Sequence, residues 1–342
     1  HMLPKQPEKI LVIRRDNVGD LVCTTPAFAA LRKHYPHAKI GALVNSYNSE
    51  VLRGNPNVDY IFVYKKLKHA GSLRKRIRAL LERCKLIIRL RNWQPEVTIL
   101  AKSSYDRHGL NFARRIHAKN IVGFVPADLS QAKLLPDIRL KTPEFAKLHE
   151  VEAVNQLLMP LGINDAIGPL TVYPNLDRVE KIKQSFPTAN SRIALHISAR
   201  EPERRWGIDK YVALTRHVIG TQPNTQVLLF WAPGKPDDPH HPGDDLLAES
   251  LIRSIQSERL IPMPTQNITE LIDALSLCDV FIGADGGAMH LAVALGKRVV
   301  ALFENLPSKL SHWYPWKVSC QVVHSLDSED FEIGQISTCL LY

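Results

Sequence analysis

The chain has no apolar run near the roughly 18–20 residues that cross a bilayer. Its start carries neither an apolar core nor a small-residue cleavage site, so a cytoplasmic protein is expected. The five cysteines, Cys23, Cys84, Cys278, Cys320 and Cys339, form no CxxC pair and no zinc-ligand spacing. An odd, unpatterned set suits a reducing compartment, and the five read as buried or incidental thiols. No GxGxxG follows the opening apolar run, which speaks against an ordinary dinucleotide fingerprint. No internal repeat is visible, and no recognised nucleic-acid-binding motif accompanies the basic residues.

What is present belongs to a folded protein of two domains. The 342 residues are 45% hydrophobic and 23% charged. The formal net charge of +10 attracts polyanions: nucleic acid, phosphorylated glycolipid or an anionic membrane face. Much of the surplus is local. Eleven lysines and arginines lie between Lys65 and Arg91, opposed only by Glu82. Such a run is ordinarily a solvated helix face, and its density also suits an anionic acceptor or membrane surface.

Short β-branched runs alternate with helical stretches. Ile10–Ile13, Lys39–Val44, Tyr60–Tyr64, Val97–Ala101 and Ile121–Phe124 read as strands. Leu21–Lys33 reads as one helix with Pro26 in its first turn, and Leu73–Arg91 as a long one. The pattern restarts after residues 163–178. Strands are expected at Arg192–Ser198, Gln226–Trp231, Val280–Gly283 and Arg298–Phe303, with Asn267 capping a helix over Ile268–Leu277. The expected architecture is α/β, with two doubly wound Rossmann-like domains over residues 1–170 and 171–342. The Pro/Asp/His-rich run Lys235–Pro242 reads as a surface loop, with donor contact or metal binding as its alternatives.

Three turns carry candidate chemistry, each after a strand, where ligands of open α/β sheets gather. In Arg15-Asp16-Asn17-Val18-Gly19-Asp20, the Asp20 carboxylate can accept a proton from an attacking hydroxyl, or simply cap the helix. In Gly283-Ala284-Asp285-Gly286-Gly287-Ala288-Met289-His290, glycines and a helix start can present N–H groups to an anion. Asp285 and His290 can bind a sugar or phosphate there, or sit in a plain strand-to-helix turn. In Ser198-Ala199-Arg200-Glu201-Pro202-Glu203-Arg204-Arg205-Trp206, several guanidiniums suit a diphosphate or a solvated loop.

Taken in order, these runs resemble glycosyltransferase family nine, the heptosyltransferases of lipopolysaccharide core assembly. The resemblance rests on Ile13–Asp20 with Thr25-Pro26-Ala27, on Arg204-Arg205-Trp206 and on Asp285–Ala292. It implies a GT-B fold, two Rossmann-like domains facing across a cleft, and an inverting transfer that needs no metal and no cofactor. The N-terminal domain would then bind the acceptor and the C-terminal domain the nucleotide sugar. The family's catalytic base falls on Asp20. Its phosphate-binding basic residue falls on Arg204, where many members carry lysine; arginine keeps the charge and changes the geometry. Asp285, Gly286, Gly287 and His290 fall on the donor turn, and some members have threonine in place of Gly286. Ser198 and Arg200 join the donor side on a looser match.

The implied donor is ADP-L-glycero-β-D-manno-heptose, a substrate rather than a cofactor. The implied acceptor is a phosphorylated lipid A–core glycolipid, which leaves peripheral contact with the inner face of the cytoplasmic membrane open. Nucleic acid is not expected as a partner. The rival readings are a same-fold transferase of another sugar, a nucleotide-sugar epimerase, and a catalytically silent polyanion- or nucleotide-binding protein.

Overall fold

A computed structural model describes residues 3–65, 72–238 and 242–324. The chain divides between Leu170 and Thr171 into two compact units.

The first unit contains β1 (Lys9–Ile13), α1 (Val18–Val22), α2 (Thr25–His34), β2 (Lys39–Asn45), β3 (Tyr60–Tyr64), α3 (Leu73–Trp93), β4 (Val97–Leu100), α4 (Arg107–Arg115), β5 (Ile121–Val125), β6 (Ile138–Lys141) and α5 (Glu150–Gln156). The second contains α6 (Leu176–Gln184), β7 (Ser191–His196), α7 (Ile208–Thr221), β8 (Thr225–Phe230), α8 (Asp245–Ile255), β9 (Leu260–Pro262), α9 (Ile268–Ser276), β10 (Val280–Ala284), α10 (Gly287–Ala294), β11 (Arg298–Phe303), α11 (Pro307–Trp313) and β12 (Cys320–His324).

Each unit is built on a six-stranded parallel sheet. The orders are β3-β2-β1-β4-β5-β6 and β12-β11-β10-β7-β8-β9. Numbered within its own unit, the second sheet repeats the doubly wound plan of the first, with strands added on both sides of its opening strand. This is the α/β architecture of GT-B enzymes. The order reverses between β1 and β4, and again between β7 and β10, where such sheets open a crevice at the strands' carboxyl ends.

The central strands are apolar on both faces because helices cover both. Ile10 to Ile13 of β1 are buried throughout, as are all six residues of β8. In the first unit Leu11, Ile13 and Leu43 pack with Phe62, Leu90 and Phe112. In the second, Ile193, Leu195, Leu229 and Ile282 pack with Trp206 and Tyr211. Close packing leaves little slack at Gly283, where an added Cβ would fall 2.8 Å from the Phe281 ring. Gly162 closes the segment after α5 in the left-handed region, φ 76°, which a side chain would disfavour.

One expected helix is two. Leu21–Lys33 is interrupted at Cys23-Thr24, between α1 and α2. Pro26 cannot donate to the Val22 carbonyl as a helix interior requires. The Thr25 hydroxyl donates to that carbonyl instead, at 2.6 Å. The thiols also divide: Cys23 and Cys278 are buried, whereas Cys84 and Cys320 are exposed. Cys339, Lys66, Lys68 and residues 239–241 lie outside the described residues.

Candidate active site

The first cluster forms where β1 ends. Arg14, the next residue, is buried, with 3% of its surface exposed. Its Nη1 donates to the Ala101 carbonyl at 2.6 Å and to Glu150 Oε1 at 2.7 Å. Its Nη2 lies 3.2 Å from Asp20 Oδ1, and its Nε 3.3 Å from Asp16 Oδ1. One guanidinium therefore faces three carboxylates. Burial by itself would lower the Arg14 pKa, but Glu150, Asp16 and Asp20 together outweigh it and raise the value.

Asp20 stands in the first turn of α1. Its Oδ2 accepts from the Asn17 backbone N–H at 2.9 Å. The helix-capping reading and the site reading thus describe the same carboxylate: it closes the helix start and sits in the Arg14 cluster. Burial pushes its pKa up, and Asp16 and Glu150 push the same way. Arg14 and the Asn17 amide oppose that rise without cancelling it. A half-buried carboxyl with a raised pKa, balanced by one cation, is suited to exchanging a proton.

Two asparagines hold this turn. Asn45 Nδ2 donates to the Arg15 and Asp16 carbonyls, each at 2.7 Å, and Asn48 Nδ2 to the Asp16 carbonyl at 3.2 Å. Asn45 ends β2, the neighbour of β1 in the sheet, and Asn48 follows three residues later. On the next strand, Tyr64 lies between two cations: the Arg15 guanidinium carbon is 5.1 Å from the ring centroid and that of Arg83 4.5 Å.

The second cluster joins the carboxyl ends of three adjacent strands, β7, β10 and β11. Arg204, in the loop after β7, places Nη1 3.4 Å from the Asp285 carbonyl oxygen and 3.8 Å from its Oδ2. Its Nε lies 3.5 Å from Glu304 Oε1, and Lys309 also pairs with Glu304. Asp285 Oδ1 lies 3.6 Å from His290 Nε2, with both side chains buried. Gly286 precedes α10, whose opening N–H groups have no partners within the helix. The result is a cluster of two cations and two carboxylates beside a helix N-terminus.

Trp206 anchors the loop that carries Arg204. It is buried, and its ring meets that of Tyr211 edge-on at 5.1 Å. Ser198 Oγ accepts from Ala232 N–H at 2.8 Å, tying the loop after β7 to the loop after β8. Arg205 turns the other way and pairs with Asp244 at 3.1 Å. His196, at the end of β7, is driven down to about 4 by burial and so stands neutral at physiological pH.

The structure therefore brings Arg204, Asp285, Gly286, Gly287 and His290 to one end of the second sheet. Ser198 is placed as a loop tie. Arg200 is exposed and takes no part in the ion pairs of this cluster among the described residues.

The sequence matches glycosyltransferase family 9 (heptosyltransferase) over residues 111–339, more than half of the chain. The chain belongs to glycosyltransferase family 9. It is 22% identical to lipopolysaccharide heptosyltransferase 3 of Escherichia coli (strain K12) over 315 residues, covering 87% of this chain and 82% of that protein. Its fold is similar to E. coli ADP-heptose LPS heptosyltransferase II, with TM-score 0.76 and 18% identity over 97% of each chain. It is also similar to E. coli heptosyltransferase WaaC with ADP, with TM-score 0.75 and 13% identity over 97% of this chain and 99% of that one. The protein is a glycosyltransferase of the heptosyltransferase family.

Four polar residues of this family 9 transferase escape sequence reading. Glu150 is 136 residues from Arg14, so only the fold brings them together. Glu304 and Lys309 follow β11, and their link to Arg204 likewise depends on strand order. Asn45 carried a local signal, since a polar residue closes the apolar run of β2 where a switch-point turn has to be held.

Proposed function

We propose that the protein transfers a heptose from ADP-heptose to a lipopolysaccharide core acceptor, with inversion and without a metal. The observation that carries the reading is the Asp20 carboxylate, half-buried beside the buried Arg14 at the switch point of the first sheet and pushed above its ordinary pKa. Family membership supplies the reaction class, and the names of the relatives supply the donor and acceptor.

In this reading Asp20 accepts the proton of an acceptor hydroxyl as its oxygen bonds to the anomeric carbon. The bond from that carbon to the diphosphate oxygen breaks in the same step, and its electron pair leaves with ADP. Attack opposite the leaving group inverts the centre. Arg14 keeps Asp20 ionisable in a half-buried setting, and Asn45 and Asn48 hold the turn so that the carboxylate is oriented in advance. Arg204 and the opening amides of α10 receive the negative charge that gathers on the departing diphosphate. Lys309 adds a second cation near the same carboxylate, Glu304. In this reading Arg204, Lys309 and the α10 amides take the place of a metal. The first unit would bind the acceptor and the second the donor, with the enzyme working in the cytoplasm on a glycolipid of the inner membrane face.

Calorimetric titration with ADP, UDP and GDP in the presence of a chelator tests the donor assignment. The reading expects binding of ADP in preference to the others. A preference for UDP or GDP would assign a different sugar donor, and dependence on an added divalent cation would remove the metal-independent mechanism.

A further inference from the structure

Helix α3 presents two unlike faces. Leu86 and Leu90 are buried in the first unit's core, and Trp93 packs against Phe62 with ring centroids 5.3 Å apart. On the opposite side, large apolar residues point to solvent: Leu73 is 74% exposed, Ile77 51%, Leu80 53%, Leu81 57% and Ile88 56%. Cys84, also exposed, falls between them. These positions recur every three or four residues, so they form one continuous stripe along the helix. A helix that already buries one apolar face has no structural need of a second.

Charge flanks the stripe. The helical repeat places Arg74, Arg78 and Lys85 along one border and Arg76 along the other. Over its 21 residues α3 carries eight lysines and arginines against one acid, Glu82. Two copies of this face would set like charges against each other, which argues against self-association. A nucleic acid would use the charge and leave the leucines in water. An anionic bilayer satisfies both features: acyl chains receive the stripe and head groups receive the borders.

We propose that the exposed face of α3 docks the protein on an anionic lipid bilayer, with the helix lying in the plane of the head groups. The stripe enters the acyl boundary, and the flanking cations meet lipid phosphates by extending their long side chains upward. The proposal rests on the glycolipid-acceptor reading for its purpose, since an acceptor anchored in a membrane must be approached from its surface. Among the described residues no helix is long and apolar enough to cross a membrane, so this contact is peripheral.

The test is co-sedimentation of the full chain with vesicles, without donor or acceptor. Phosphatidylcholine vesicles are compared with vesicles of phosphatidylcholine and phosphatidylglycerol. Wild type should partition at least about tenfold more strongly onto the anionic vesicles. The triple variant I77Q/L80Q/L81Q should lose at least about tenfold of that partitioning. Glutamine is a good helix former, so circular dichroism and thermal melting should be unchanged. Triple-variant binding equal to wild type would overturn the proposal, as would wild-type indifference to both vesicles. A concentration-dependent dimer lost in the triple variant would assign the stripe to self-association and overturn it too. Transfer to a lipid-free acceptor oligosaccharide is measured separately. If stripe-dependent binding persists while transfer is absent, the docking surface stands and the acceptor reading fails.

Discussion

Arg14 Nη2 lies 3.2 Å from Asp20 Oδ1 across the turn that ends β1, while the same guanidinium binds Glu150 at 2.7 Å. A single buried cation thus holds three carboxylates, and Asp20 is the one that opens the helix after the first strand. Its ionised form is costly, because burial raises its pKa. Ionisation of Asp20 therefore works against folding and in favour of catalysis.

Replacing Asp20 by asparagine separates those two roles. The amide oxygen of the new side chain can still accept from the Asn17 N–H, so the cap is kept. Transfer should fall by at least about a hundredfold, the scale of general-base contributions. Thermal stability at neutral pH should be equal or higher. The gain should fade as the pH drops below the ordinary carboxylate value, where Asp20 is protonated in both folded and unfolded chains. Full activity in this variant would remove Asp20 as the general base.

The pH profile of transfer carries the same signature. A base acts when ionised, so kcat/KM should fall with decreasing pH through a pKa above the usual aspartate range. Glu150→Gln removes a like charge that raises the Asp20 pKa, and should move this limb to lower pH. Arg14→Met removes the cation that lowers it, and should move the limb upward. Measuring kcat/KM against pH for the three proteins checks the order.

Arg14→Met also strands the buried Glu150 and leaves the half-buried Asp16 and Asp20 without their cation. Loss of one partner of a buried ion pair costs about 3–5 kcal/mol, so urea unfolding at neutral pH should show a loss of that order. The deficit should shrink as the solution is acidified and the carboxylates take up protons. A variant as stable as wild type at neutral pH would show that the three acids do not depend on Arg14.

Arg204→Met should weaken donor binding by roughly ten- to a hundredfold, the value of a charged hydrogen bond to phosphate. Arg204→Lys keeps the charge and loses the fork, and should fall between the two. Titration of ADP into each variant measures this directly. Arg200→Met should leave ADP affinity near wild type, since Arg200 stands exposed outside the cluster formed by Arg204, Asp285 and Glu304.

Much of the architecture was legible because parallel central strands are apolar on both faces. β11 was read to its residue limits, and Asn267 caps α9 by accepting from the Glu270 N–H as expected. The unread strands β6, β9 and β12 lie at sheet edges: β9 is only three residues long, and β6 and β12 have half-buried or exposed residues throughout. α4 escaped because its arginines dominate the few apolar residues that anchor it.

The candidate site was legible where its residues are local in sequence. The turns carrying Asp20, Arg204 and Asp285 each follow an apolar strand within a few residues. Glu150 and Glu304 were not legible, because the fold rather than spacing brings them to Arg14 and Arg204, and Lys309 enters the cluster only through its neighbour Glu304. Arg200 shows the converse: a charge in the right loop whose side chain the fold leaves exposed.

The most direct test incubates the protein with ADP-heptose, chelator and a lipopolysaccharide acceptor that lacks its heptose, and follows ADP release and acceptor mass. The account predicts release of ADP with gain of one heptose of inverted anomeric configuration, dependent on acceptor and lost in Asp20→Asn. Undiminished transfer by Asp20→Asn, or a product that retains the donor's configuration, would contradict it.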